Sequence, residues 1–314
     1  MIKRLTISII ICTRNRLDCI GQCLTSITQQ TTAPDELIII DSSDVPLIAQ
    51  DAFNSQFDHN TYTKTKLLYR HTRPSLTYQR NIGVDLAHGD IIYFFDDDVI
   101  LEPNYIQDMQ RVFAGHPKYS GGSGSITNIP PYKRTFRYVI RSFFLIQRNY
   151  SSGYFTSSGM PTHAYGTSEF REIQALSGCC CAYRAQIFKK HRFDENLTRY
   201  AYMEDCDFSK RVSRDHLLFY NPFAKLAHNQ SPLNREKLID FRTMFSNYYT
   251  YLFFKNFYPE KKLRIISYLW SMLGLGIEAF YSTVVLHNTG YIRGYFKGIY
   301  TYLHTQRHQR HYLP

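Results

Sequence analysis

Apolar runs and polar breaks alternate along the first 120 residues. Residues 5–12 are nearly all apolar and rich in isoleucine, the pattern of a strand buried on both faces, and the run stops at Thr13-Arg14-Asn15-Arg16. Asp18 then caps a helix predicted over residues 20–27. A second run, residues 36–40, ends in Asp41-Ser42-Ser43-Asp44 before a helical stretch from Pro46. Residues 67–69 give a shorter strand and 75–86 a helix. Gly89-Asp90 then turns the chain into residues 91–95, an apolar strand that ends in Asp96-Asp97-Asp98, with a further helix from Pro103-Asn104. Four rounds of strand and helix predict an α/β fold, a doubly wound, mostly parallel sheet with helices on both faces and right-handed crossovers.

The pattern loosens over residues 121–178, where Gly, Ser, Pro and aromatic residues suggest loops that fold over a substrate. Residues 179–188 return to strand and helix. Residues 201–208 open a helix whose first turn holds Glu204, Asp205 and Asp207, as the helix dipole favours. Residues 216–220 and 224–228 read as two short strands. Beyond 233 the composition changes: residues 242–258 are dense in Tyr and Phe, and 263–286 are apolar but interrupted by Arg264 and Glu278. The uncharged pieces fall short of the ~18–20 residues a membrane span needs, so these helices are expected to lie on a membrane. The chain thus divides into a catalytic domain, 1–232, and a helical extension, 233–314.

Charge sharpens that division. The formal net charge is +11, and from Arg235 to the end eleven Lys or Arg face four Asp or Glu. Cations interleaved with Tyr and Phe fit docking on anionic lipid headgroups, with a helical subdomain packed on the catalytic core and bearing a solvated basic face as the alternative. An apolar content of 44% excludes disorder. The seven cysteines are odd in number, form no CxxC pair and sit mostly in apolar runs, which points to small hydrophobes in a reducing cytosol. The N-terminal apolar stretch is too short for a signal peptide and runs directly into Arg14 and Arg16.

In a doubly wound sheet ligands bind outside the carboxyl ends of the strands, where Thr13, Asp41 and Asp96 to Asp98 all fall. Three adjacent carboxylates repel one another, and a divalent cation relieves that repulsion. Mg²⁺ or Mn²⁺ is held by one or two carboxylates together with substrate phosphates and acts as a Lewis acid toward a departing diphosphate.

The ordered set of Ser8 to Arg16, Glu36 to Asp44, Arg80-Asn81-Ile82-Gly83, Asp96-Asp97-Asp98 and Glu204-Asp205-Cys206-Asp207 resembles the family 2 glycosyltransferases of GT-A fold, among them bacterial O-antigen and capsule enzymes, over roughly residues 5–230. The resemblance implies a nucleotide-diphosphate sugar donor (UDP, dTDP, GDP or CDP), a Mn²⁺ or Mg²⁺ cofactor and usually inversion at the anomeric carbon. It also suggests a lipid-linked or polysaccharide acceptor at the cytosolic face of a membrane, with no nucleic acid as partner. Thr13, Arg14, Asp41 and Ser42, which stands where many relatives have a second Asp, would face the nucleotide. Arg80 would approach the base or diphosphate, Asn81 would do so or fix the loop, and Gly178 would lie near the donor sugar, with Arg171 or Arg184 toward the diphosphate. Asp97 would touch ribose or sugar. Asp98 would ligate the metal, with Asp96 and His228 as further ligands. Asp205 matches the base and Glu204 an acceptor contact, while Asp207 pairs with Lys210 or Arg211. Two alternatives remain at this point: a sugar-phosphate nucleotidyltransferase, which lacks its Gly-rich phosphate loop here, and a nucleic-acid-binding protein, for which no module is present.

Overall fold

The computed structural model of the chain describes residues 4–55, 57, 62–129, 135–147, 152–230 and 237–310. Two compact units are formed, one from residues 1–131, 163–199 and 204–234, the other from 132–162, 200–203 and 235–314. The boundary expected at 232/233 lies outside the described residues.

The first unit begins β1 (Ile7–Thr13), α1 (Leu17–Thr28), β2 (Glu36–Asp41), α2 (Asp51–Asn54), β3 (Lys66–His71), α3 (Leu76–Leu86) and β4 (Ile91–Asp96). The four strands pair in parallel in the order β3, β2, β1, β4, as the alternating pattern predicts. Helix α2 is a single turn preceded by a 3-10 turn at Leu47–Ala49, less than the helix expected from Pro46. Arg16 occupies the N-cap of α1, with Asp18 in the first turn.

Beyond β4 the sheet is mixed. The chain continues through β5 (Val99–Leu101), α4 (Tyr105–Gly115), β6 (Tyr119–Ile126) and, in the second unit, α5 (Phe136–Phe143). Back in the first unit come β7 (Arg171–Ile173), β8 (Cys180–Arg184), α6 (Glu204–Val212) and β9 (Leu217–His228). The sheet runs on as β4, β8, β6, β9, β5, with β8 antiparallel to β4, β5 antiparallel to β9 and β7 on β9.

Two segments differ from the pattern-based reading. The stretch Tyr119–Ile126 is a strand and not a loop, because its glycines make room for rings: a Cβ at Gly121 would stand 2.5 Å from the Tyr183 ring, and one at Gly122 2.5 Å from that of Phe219. The two strands expected at 216–220 and 224–228 are one, carried through Pro222 by a register shift against β6 in which Ser123 faces Tyr220 and Ser125 faces Lys225.

One apolar layer packs α1 and α4 against Ile9, Ile11, Tyr93 and Phe95; the other packs α3 and α6 against Ile10, Ile38, Ile92 and Phe94. Every side chain of residues 91–95 is at most 2% exposed. At about 1.5–3 kcal/mol for each large apolar side chain buried, as an upper bound, β4 anchors the polar turn that follows it.

The second unit is helical: α7 (Leu238–Leu252), continued by a π-turn at Phe253–Phe257, then α8 (Arg264–Val285) and α9 (Gly290–Arg310). Helices α7 and α9 touch through glycines. A Cβ at Gly298 would lie 2.4 Å from the Thr243 carbonyl oxygen and 2.7 Å from the Ser246 Cβ, and one at Gly294 2.5 Å from the Arg242 Cβ. Gly298→Val is therefore expected to force the helices apart at a cost of about 1–3 kcal/mol, lowering the melting temperature by several degrees; an unchanged calorimetric transition would show that the contact is not tight.

Candidate active site

The site grows from strand ends held in register. Thr13 pairs with Asp41 across β1 and β2, and Cys12 with Asp96 across β1 and β4. The chain turns at Asp97-Asp98 into β5, and because Val99 pairs with His228, the end of β9 is brought beside the acids. His228 Nε2 stands 3.0 Å from Asp98 Oδ1 and 3.9 Å from Asp96 Oδ2. Asn128 holds this histidine by its backbone, donating to its carbonyl and accepting from its N–H, both at 3.0 Å.

Asp97 faces a different set. Its Oδ2 accepts from the Thr13 hydroxyl at 2.6 Å and its Oδ1 pairs with Arg16 at 2.9 Å, while the same guanidinium nitrogen lies 3.4 Å from Asp98. Sequence reasoning gave Arg16 no role. Its place one turn after β1, before an acidic strand end, is the signal that could have singled it out.

A second cluster sits beside the first. Arg80, 3% exposed, leaves α3 to pair with Glu204 at 2.6 Å, reach Asp96 at 3.4 Å and donate to the Gly178 carbonyl at 3.0 Å. The Gly178 N–H donates to Asp205 Oδ2 at 2.8 Å, and the Cys206 N–H to Oδ1 at 2.7 Å. A Cβ on Gly178 would lie 2.9 Å from Glu204 Oε1 and 3.1 Å from both Arg80 terminal nitrogens, so the ion pair occupies the space a side chain would take.

The electrostatics follow from crowding. Burial raises Asp96, it lifts Asp97 to about 6 against the pull of Arg16, and it raises Glu204 while the Arg80 guanidinium beside it holds the carboxylate charged. Burial opposes charge on His228, but the Asp98 hydrogen bond, the Cys179 thiol and Asp96 outweigh it and raise the imidazole to about 11.

The remaining expected residues have these partners. Arg14 is half-exposed and pairs with Asp44 at 3.3 Å. Asp41 is fully buried and holds its own loop, accepting from the Ser43 and Leu47 N–H groups and the Tyr69 hydroxyl. Ser42 is buried, its N–H donating to the Thr13 carbonyl. Asn81 fixes a loop by bonding the Phe193 backbone and Glu195. Asp207 pairs with Arg211 at 2.8 Å. Arg184 faces Ile91 at the start of β4, the end of the sheet away from Asp96, and donates to the Phe113 and Tyr119 carbonyls. Arg171 faces Tyr220, eight residues before His228 and so roughly 25 Å along β9. Neither arginine reaches the acids.

The model of glycosyl transferase family 2 matches residues 8–192, most of the segment that builds these strand ends. The chain belongs to glycosyltransferase family 2. The glucosyl-dolichyl phosphate glucuronosyltransferase of Haloferax volcanii is 20% identical over 275 residues, which are 84% of this chain and 78% of that one. Among solved structures, the mannosyltransferase PcManGT from Pyrobaculum calidifontis, in complex with GDP-Man and Mn²⁺, superposes with a TM-score of 0.54 at 13% identity, covering 95% of this glycosyltransferase and 85% of the mannosyltransferase chain. GalNAc-T7 with UDP, GalNAc and Mn²⁺ gives 0.56 at 15% identity, over 80% of this chain and half of that one. These likenesses show the GT-A fold.

In this glycosyltransferase the Arg80–Glu204 pair is a structural test of the site. Arg80→Ala leaves a buried carboxylate without its cation and is expected to cost about 3–5 kcal/mol, whereas Gly178→Ala, which only crowds the pair, should cost about 1–3. Urea unfolding of both variants checks the order. Equal, small losses would mean that the pair does not hold the site together.

Proposed function

We propose that this glycosyltransferase moves a sugar from a nucleoside-diphosphate sugar to a hydroxyl of a lipid-linked glycan, by a metal-dependent displacement that inverts the anomeric carbon. The observation that carries the reading is the group formed by Asp96, Asp98 and His228, whose ligand atoms all lie within 4.8 Å of one another where β4 ends. Two carboxylates and an imidazole suit Mn²⁺, and Mg²⁺ less well because of the nitrogen ligand. When bound there, the ion would act as a Lewis acid on the leaving diphosphate. The Mn²⁺ complexes of the mannosyltransferase and of GalNAc-T7 support this choice, as they support a nucleotide-sugar donor.

Asp98, Asp96 and His228 would hold the metal, while Thr13 and Arg16 keep Asp97 oriented toward the ribose or sugar. Asp205 would take the proton of the attacking hydroxyl. The two N–H groups it accepts from leave lone pairs on both oxygens and fix the carboxylate's direction. Glu204, tied to Arg80, would set the wall against which the acceptor rests. A single displacement then breaks the bond to the diphosphate from the face opposite the acceptor. The lipid-linked acceptor is supported by the name of the Haloferax relative, and the cytosolic face of a membrane, as in surface-polysaccharide assembly, by the basic C-terminal region.

A panel of UDP-, dTDP-, GDP- and CDP-sugars with Mn²⁺ tests the proposal. One donor should raise the melting temperature in a metal-dependent way. Asp98→Ala should abolish that shift, whereas Asp205→Asn should keep it and lower kcat by about 10²–10⁴-fold. Full turnover by Asp205→Asn would remove the assigned base, and a donor shift unchanged in Asp98→Ala the assigned metal site.

A further inference from the structure

Helix α8 is apolar on two sides. Tyr268, Met272, Leu275 and Ala279 are buried within the second unit, yet Ile266, Leu269, Leu273, Ile277, Phe280 and Val284 on the other side are 48–67% exposed. That spacing is one continuous helical stripe, about 27 Å long from its first residue to its last at about 1.5 Å per residue. Helix α5 adds a second stripe with Phe136, Val139, Ile140 and Phe143, of which Phe136 is 81% exposed. Such contiguous apolar surface marks an interaction site, unlike scattered exposed residues.

The two stripes belong together. Phe143 and Phe144 pack on Trp270, whose ring N–H donates to the Phe143 carbonyl, and Arg137 and Arg141 of α5 both pair with Glu278, the one acid of α8. The acid within the apolar face is thereby covered by two arginines.

We infer that α5 and the outward stripe of α8 form one docking surface that lies in the plane of an anionic lipid layer. Charge decides the occupant. Arg137 and, just before α8, Lys261 and Lys262 are exposed, and residues 235–314 carry eleven cations against four acids, so a second copy of this chain would bring like charges together. Anionic headgroups complement the rim while acyl chains receive the stripe. No helix among the described residues is long and apolar enough to cross a membrane, which fits a helix that lies on one. The inference rests on the membrane-acceptor reading for its purpose only.

Flotation of the full chain with phosphatidylcholine vesicles, with and without phosphatidylglycerol, tests it. The protein should float with the anionic vesicles, and Leu273→Asp, Ile277→Asp or Val139→Asp should each weaken partitioning on the order of tenfold or more, with an unchanged thermal melt because these positions are exposed. The double change Lys261→Glu, Lys262→Glu leaves the apolar stripe intact and should remove the preference for anionic vesicles. Wild-type protein that does not float, or variants that float as it does, would overturn the inference. So would a dimer in light scattering that Leu273→Asp dissociates. The assay contains neither donor nor acceptor, so failed transfer with intact flotation would fault the proposed function alone.

Discussion

A guanidinium buried to 3% exposure must be paired, and Arg80 finds its partners on three separate elements: Glu204 at the start of α6, Asp96 at the end of β4 and the Gly178 carbonyl just before β8. Its carbon faces the Phe94 and Phe193 rings at 5.6 and 5.4 Å, which keeps water out of the pair. A buried ion pair of this kind adds little net stability, because desolvation cancels most of the attraction, but removing either partner is costly. Its contribution is to fix position: α3, β4 and α6 can occupy only the arrangement in which Arg80 is satisfied.

With Arg80 in place, the acids crowd together. Burial and mutual repulsion raise Asp96, Asp97 and Glu204, and the nearby positive groups, Arg16 and Arg80, are already engaged with them. His228 is drawn to the charged state by the same field. On the proposed reading, a divalent cation held at the Asp98–His228 corner would take the place of the imidazole proton and favour the ionised form of the carboxylates around it.

How much of this was legible in the sequence depended on which force dominated locally. The strand ends at Thr13, Asp41 and Asp96 could be read because unbroken apolar runs permit only a buried strand, and polar residues after such a run must leave the sheet. Strand β6 was hidden because its glycines, which signal a turn when read alone, are there to receive Tyr183 and Phe219 from other strands. Helix α5 was missed amid Ser and Gly, although Thr135 accepts from the Tyr138 N–H as an N-cap and residues 136, 139, 140 and 143 keep helical spacing. Side-chain partners were the least legible. Asp41 satisfies its own loop and Arg184 serves carbonyls at the far end of the sheet, because an unsatisfied buried backbone group competes for the same polar side chains as a ligand does.

The Asp98–His228 corner and the Asp205 corner are joined by three consecutive residues. The Ser177 hydroxyl bonds Tyr165, the Gly178 carbonyl takes Arg80 while its N–H holds Asp205, and the Cys179 carbonyl accepts from the Asp96 N–H. The Cys179 thiol in turn lies against His228. A shift of this segment by a few tenths of an ångström would move the proposed base, the buried ion pair and the Asp98–His228 corner at once. Energies of change at Gly178, Arg80, Asp96 and His228 must therefore be non-additive, since each alters the geometry against which the others are measured. It also explains why the position between Ser177 and Cys179 is glycine: the backbone makes both bonds, and the volume above it belongs to Arg80 and Glu204.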